Sequence, residues 1–416
     1  MLTMLFESLQ RMQALHACPN GSYLEDFAAM LDQAGYAKIT ARRHMRAAEH
    51  FLYWVAREDL PIADLSEAVL SRFDRHLPRC RCPGFGRSSA CALHHGPRLL
   101  VSHLRAAHGI TTPVAPPSGL DAVVFADFCQ WMRAQRGTMD STLANYWRPI
   151  RDAVRCLGGD FGQWDARGLR EFILERSQGS GRTRTKQCTT ALRLFLRFLI
   201  AHDRCPVGLD AAIPVVARWR LAALPRALPP ADVERIIASC DKATPTGIRD
   251  RAILLLLARL ALRAGDIVML RLQDIDWRSA SIMVSGKAKR QTQLPLSQEV
   301  GQAVADYLQN ARPLAASDRL FVCVRAPHRP LGSHCAVSAI VARAIIRAGV
   351  QRPARGAAHL LRHSAAAAML RHGASLQDIA ALLRHRSITT TQIYAKVDVN
   401  ALARITQPWP NEVSPC

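Results

Sequence analysis

The chain has 416 residues, with 55 Lys and Arg against 33 Asp and Glu, a formal charge of +22, and it is 49% hydrophobic and 21% charged. This composition excludes a disordered or collagen-like chain, and the longest apolar run, Ala252 to Ala258 between Arg251 and Arg259, is far short of the ~20 residues of a membrane span. A charge of this sign and size points to a polyanionic partner, nucleic acid first, because neutralising phosphates releases counterions. The start, Met1-Leu2-Thr3-Met4-Leu5-Phe6-Glu7, lacks the basic and apolar stretches of a secretory leader. A cytoplasmic, nucleoid-associated protein with free thiols is therefore expected for the 12 cysteines.

Pro and Gly mark the joints. Thr111-Thr112-Pro113-Val114-Ala115-Pro116-Pro117-Ser118-Gly119 reads as a linker, and a second cluster runs through Pro206, Gly208, Pro214, Pro225, Pro229 and Pro230. Three pieces result: 1–112, 119–205 and 225–405, followed by a loose tail, 406–416. In the first piece, Phe27-Ala28-Ala29-Met30-Leu31 is followed by Thr40-Ala41-Arg42-Arg43-His44. In the second, Phe125-Ala126-Asp127-Phe128-Cys129 is followed by Ser141-Thr142-Leu143-Ala144-Asn145-Tyr146. Each piece closes on an Arg- and Leu-rich helix beginning near Arg98 and Arg193. The near-constant offset suggests a duplicated all-α module. Thr40 and Ser141 are candidate N-caps. Arg42, Arg43 and Arg46, and Arg148, Arg151 and Arg155, give each module a basic face suited to a DNA backbone.

The third piece is mixed. Pro230 opens a helix with Asp232 and Glu234 early, where acids complement the helix dipole. Asp250 to Leu262 is an apolar helix. Ser281 to Gly286 and Gln291 to Leu296 alternate as a hairpin. Helical patterns resume from Gly301, broken near Pro327–Pro330 and Pro353–Gly356. Ser375-Leu376-Gln377-Asp378, with Ile379, Leu382 and Leu383 on one face, predicts an amphipathic helix. The fold class is thus mainly α with a small β-hairpin: helical DNA-binding modules ahead of a mixed α+β domain.

Four segments of this piece carry reactive side chains: Ala261-Leu262-Arg263-Ala264-Gly265-Asp266, Gly286-Lys287-Ala288-Lys289-Arg290, His359-Leu360-Leu361-Arg362-His363, and Leu383-Arg384-His385 with Thr389-Thr390-Thr391-Gln392-Ile393-Tyr394. In order and spacing they resemble the catalytic domain of the tyrosine recombinases, the phage integrase family. That family uses an Arg, a hairpin Lys, a His-x-x-Arg, a further His and a Tyr nucleophile. A looser resemblance covers 120–205, which looks like the family's helical, SAM-like core-binding domain. The resemblance implies Arg263, Lys287, His359, Arg362, His385 and Tyr394 as catalytic residues; Asp266, one turn after Arg263, reads as a structural, orienting partner. It implies double-stranded DNA as substrate, a homotetramer, or an assembly with related recombinases, on paired sites, and no cofactor for catalysis.

The chemistry suits these residue types. Cleaving a phosphodiester without metal needs a nucleophile, stabilisation of added negative charge and a proton for the leaving oxygen. Arg263 and Arg362 can fork the non-bridging oxygens. Lys287 can reach the leaving 5′ oxygen, His359 can assist proton removal from Tyr394, and His385 can hydrogen-bond the phosphate. Tyr394 would carry a covalent 3′-phosphotyrosyl bond that conserves the energy for rejoining. Two positions depart from the family: Arg384 stands where Gly is usual, and Leu260-Ala261-Leu262 where Thr-Gly is usual. Two other readings stay open: a non-cleaving DNA-binding protein of the same fold, and a topoisomerase. Separately, Cys80, Cys82, Cys91 and His94 could hold a structural zinc ion in the first piece.

Overall fold

In the computed structural model, residues 2–86, 95–108, 119–216, 227–285, 291–351, 356–385 and 387–397 are described. The chain forms two compact units, one of residues 1–112 together with 221–416 and one of residues 113–220.

Within the first unit, the N-terminal part is helical: α1 (Leu2–Leu5), α2 (Leu9–Ala17), α3 (Ser22–Gln33), α4 (Lys38–Arg57), α5 (Glu67–His76) and α6 (His95–His108). Apolar residues at helical spacing, such as Leu24, Phe27 and Leu31 on α3 and Met45, Phe51, Leu52 and Val55 on α4, meet Phe73 and Leu104 in one core. The second unit holds α7 (Leu120–Arg136), α8 (Asp140–Leu157), α9 (Ala166–Gln178) and α10 (Arg182–Ile200). Its core gathers Phe128, Ile150, Phe172, Phe195 and Leu199.

Helices α3 to α6 and helices α7 to α10 make two four-helix sets that share one order. In each, a 3₁₀ turn (Ile62–Asp64 or Phe161–Gln163) precedes the third helix. In each, a side chain caps that helix: Ser66 Oγ accepts from the Val69 N–H at 3.4 Å, and Asp165 Oδ1 from the Gly168 N–H at 2.7 Å. They differ before the fourth helix, where the first set carries the long connection 77–94 and the second only 179–181. Thr40 and Ser141 are not caps. α4 and α8 start at Lys38 and Asp140, so both residues lie inside the first turn. Packing sets these starts, since Ala41 and Leu143 are already buried there.

The C-terminal part of the first unit is built around α12 (Pro245–Ala258), which follows α11 (Pro230–Ala238). Thr244 Oγ1 accepts from the Gly247 N–H at 3.2 Å, and Pro245 sits at the first helical position, so the helix begins before Asp250. Its residues from Ala252 to Leu257 are all fully buried, as expected of a helix apolar on every side. It ends early as well, because Ala261 takes a left-handed φ of +48°. There follow α13 (Ala264–Met269), the strands β1 (Ile275–Asp276), β2 (Ser281–Ser285) and β3 (Gln291–Pro295), then α14 (Gln298–Asn310), α15 (His334–Arg347), α16 (Ala357–Arg371) and α17 (Leu376–Leu382). The sheet is antiparallel in the order β1-β2-β3, with Ile282 opposite Leu294 and Val284 opposite Thr292. The hairpin follows the sequence pattern; β1 has two residues, too few to show alternation. Ser375 and Asp378 form a reciprocal capping box on α17. Among the described residues no helix is long and apolar enough to cross a membrane.

Candidate active site

α16 supplies the centre of the site. Its small residues Ala365 and Ala366 leave room for the Tyr394 ring, which packs with Ala261, Leu370, Ile379 and Leu383 in a separate apolar cluster. Tyr394 lies on a 3₁₀ helix, Gln392–Val397, and is 1% exposed. Burial pushes its hydroxyl up to about 12.

Arg263 and Arg362 are held by peptide oxygens. Arg362, buried in the second turn of α16, donates from Nη1 to the Ala261 carbonyl and from Nη2 to the Leu383 carbonyl. Arg263 precedes α13 and donates from Nη2 to the carbonyls of Leu383 at 3.1 Å and Arg384 at 3.2 Å. The Leu383 oxygen therefore receives both guanidinium groups. Burial and the neighbouring cations Arg263 and Arg384 push Arg362 down to about 9, still cationic at neutral pH. Burial lowers Arg263 too, with Arg384 adding to the effect and Asp266 opposing it.

Asp266 is buried. It accepts the Arg263 backbone N–H at 2.8 Å and pairs with the Arg384 guanidinium. Both departures from the family pattern now have a physical setting. Ala261 and Arg384 have φ of +48° and +49°, the left-handed region that favours glycine. Each supplies a carbonyl that anchors a site arginine. Arg384 turns its charge inward onto Asp266, and its Nε and Nη1 have no partner among the described residues.

The histidines divide differently from the expectation. His363 Nδ1 lies 2.6 Å from the Tyr394 hydroxyl. That place was expected for His359, which is exposed in the first turn of α16, its ring centroid 5.7 Å from that of His363. Burial, His359 and Arg362 push His363 down to about 4. It is neutral at pH 7, and its Nδ1 stands at hydrogen-bond distance from the Tyr394 hydroxyl. His385 lies 2.7 Å from Oγ1 of the fully buried Thr391 and is likewise held at about 4, by burial, Arg362 and Arg263. His363, Thr391 and the carbonyl anchors escaped sequence reasoning. A signal for His363 existed, since His359 and His363 are one turn apart on one helix face. Lys287 lies outside the described residues, between β2 and β3, and Cys91 and His94 also lie outside them. Cys80 and Cys82 come together with His50 and His76.

Residues 226–401 match the phage integrase family. Over 401 residues, 95% of this chain and 95% of the relative, the chain is 36% identical to the integrase/recombinase y4rA of Sinorhizobium fredii. The chain belongs to the phage integrase family. It is also 32% identical to a tyrosine recombinase XerD of Xanthomonas axonopodis pv. citri, over 67% of this chain and 93% of that protein. Among solved structures, the fold is shared with the XerH site-specific recombinase in its post-cleavage complex with a palindromic difH substrate. The TM-score is 0.55 at 19% identity, covering 67% of this chain and 83% of that one. The protein is accordingly a tyrosine-type site-specific recombinase that breaks and rejoins DNA, in a family whose catalysis needs no cofactor.

Proposed function

We propose that Tyr394 attacks a DNA phosphorus activated by Arg263 and Arg362, and that the enzyme moves a mobile genetic element. The Tyr394 proton passes to His363 as the Oη–P bond forms. The P–O5′ bond breaks, the 5′ oxygen takes a proton from Lys287, and the 3′ phosphate stays on Tyr394. Attack by the 5′ hydroxyl of another strand reverses these steps and completes strand exchange. His385, held by Thr391, hydrogen-bonds the phosphate, and His359 lies one turn away to relay protons outward. The observation that carries this reading is a buried tyrosine whose hydroxyl meets His363, with Arg362 beside it and Arg263 sharing the Leu383 carbonyl with Arg362.

The duplex is gripped by basic helices. In the second unit a groove of about 250 Å³ is lined by Asn145, Arg148, Arg176, Arg184 and Gln187, a fit for phosphate contacts. The working assembly is a homotetramer on two paired sites in the cytoplasm. The test uses a nicked duplex bearing an element end, from which cleavage releases a short 5′-hydroxyl fragment that diffuses away. A covalent protein–DNA band that is lost in Tyr394→Phe is expected. No band from the parent chain on any element end would favour a non-cleaving role.

A further inference from the structure

We propose that His50, His76, Cys80 and Cys82 bind a structural zinc ion that fastens the long connection before α6. The donor atoms of these four residues all lie within 4.8 Å of one another. Cys80 Sγ is 3.3 Å from His50 Nε2, and Cys82 Sγ is 3.4 Å from His76 Nε2. Tetrahedral zinc with sulfur at ~2.3 Å and nitrogen at ~2.0–2.1 Å sets its ligand atoms about 3.5 Å apart. The two cysteine–histidine pairs therefore already stand at the edge length of such a tetrahedron. Among the described residues this is the one cluster of its kind.

The surroundings suit a closed site. His50, Cys80 and Cys82 are buried, and neither cysteine is in a disulfide. Phe85 stacks on the His50 ring at 4.3 Å, and Phe73 meets it edge-on at 5.1 Å. The Cys82 N–H donates to Cys80 Sγ at 3.3 Å and Arg57 Nη1 to Cys82 Sγ at 3.5 Å, both suited to thiolates. Two thiolates balance the charge of a divalent ion, and two soft sulfurs with two imidazoles select zinc. Four protein ligands leave no open position, so the ion is structural and takes no part in the chemistry at Tyr394.

The topology gives the ion its task. His50 sits on α4, His76 ends α5, and Cys80 and Cys82 follow the 3₁₀ turn Leu77–Arg79. The ligands thus tie two helices to the start of the connection 77–94, which the second helical set lacks. A connection of this length is costly to order by chain packing alone. The two cysteines point inward while the flanking Arg79 and Arg81 are exposed, so the ion also holds a basic edge outward. This ligand set keeps Cys80 and Cys82 from the sequence expectation and replaces Cys91 and His94 by two histidines distant in the chain.

The full-length chain, purified without chelator, is expected to carry one equivalent of zinc by elemental analysis. Cobalt in its place should give the visible bands of a tetrahedral thiolate site. Cys80→Ser and His50→Gln should lose the metal, Cys91→Ser/His94→Gln should keep it, and His76→Cys should retain it with a third sulfur ligand. Alkylation of the parent chain should spare Cys80 and Cys82 until a strong chelator is added, a readout independent of variant folding. A chain that takes up no zinc overturns the proposal. So does retention of zinc in Cys80→Ser/Cys82→Ser, its loss in Cys91→Ser/His94→Gln, or alkylation of Cys80 and Cys82 that a chelator leaves unchanged.

Discussion

Replacing Arg384 once by alanine and once by glycine separates two effects superposed at that residue. Its φ is +49°, and its guanidinium pairs with Asp266, both side chains being 8% exposed. Either substitution removes the pair. Cutting one partner from a buried ion pair costs about 3–5 kcal/mol when the other is left alone. Asp266 keeps the Arg263 N–H, and two Arg384 nitrogens have no partner among the described residues. The loss should therefore sit near or below the bottom of that range, at about 2–3 kcal/mol. Alanine retains the left-handed strain of about 1–2 kcal/mol, and glycine does not. In ordinary helix or strand backbone glycine would be the weaker residue by about 0.5–1 kcal/mol, so the order of the two variants reports the backbone directly. Arg384→Gly should be the more stable by about 1 kcal/mol, or about 1–2 °C in a unit of this size, with both variants below the parent. Calorimetric unfolding of the full chain measures the difference. If Arg384→Ala melts with or above Arg384→Gly, the left-handed assignment is wrong.

His363→Phe should slow formation of the covalent adduct by about 10²–10⁴-fold, and His359→Phe by much less; equal losses in single-turnover cleavage would return the proton-accepting role to His359. His363 and His385, held at about 4 against an ordinary 6.5, bind protons more readily in the unfolded chain. Their contribution to stability is complete above the unfolded value and is lost as pH falls from 6.5 towards 4. Thermal unfolding across that window should show a declining melting temperature, with a shallower decline in His363→Phe; the same slope in that variant would count against the buried neutral imidazole. Lys287→Ala should cleave ordinary DNA about 10²-fold or more slowly. It should cleave almost normally when sulfur replaces the 5′ bridging oxygen, because a thiolate leaves without a proton. An equal deficit on both substrates would place Lys287 on the DNA backbone instead.

The reactive residues were legible because chemistry restricts their type and the fold restricts their spacing. Tyr394, Arg362 and Arg263 could be read only as members of one set, from their order and spacing along the chain. The hairpin was legible because Ile282, Val284 and Leu294 alternate into the core. What escaped notice depends on three-dimensional neighbours. Thr391 is one of three consecutive threonines, and only burial singles it out. His50 and His76 sit on helices whose apolar periodicity hides them, far in sequence from the cysteines they meet. The helix starts at Lys38 and Asp140 were displaced because a cap contributes about 1 kcal/mol, which inward packing one turn later outweighs.

The charge at the site carries the argument one step further. Arg263, Arg362 and Arg384 against Asp266 leave a net +2 beside a neutral tyrosine and two neutral histidines. A phosphodiester brings one negative charge; attack by a phenolate raises this to two at the five-coordinate phosphorus. With the Tyr394 proton on His363, the fixed guanidinium groups face two negative charges at phosphorus in place of one, so their attraction strengthens in the transition state, which is the condition for accelerating the step. The guanidinium groups already rest on the carbonyls of Ala261, Leu383 and Arg384, so little reorganisation remains when the charge develops. Arg384 supplies one of those unit charges from a backbone conformation that disfavours any side chain. Its removal should depress the cleavage step more than DNA binding, and single-turnover rates measured at saturating DNA distinguish the two. Equal losses in both would make Arg384 a support for Asp266 alone.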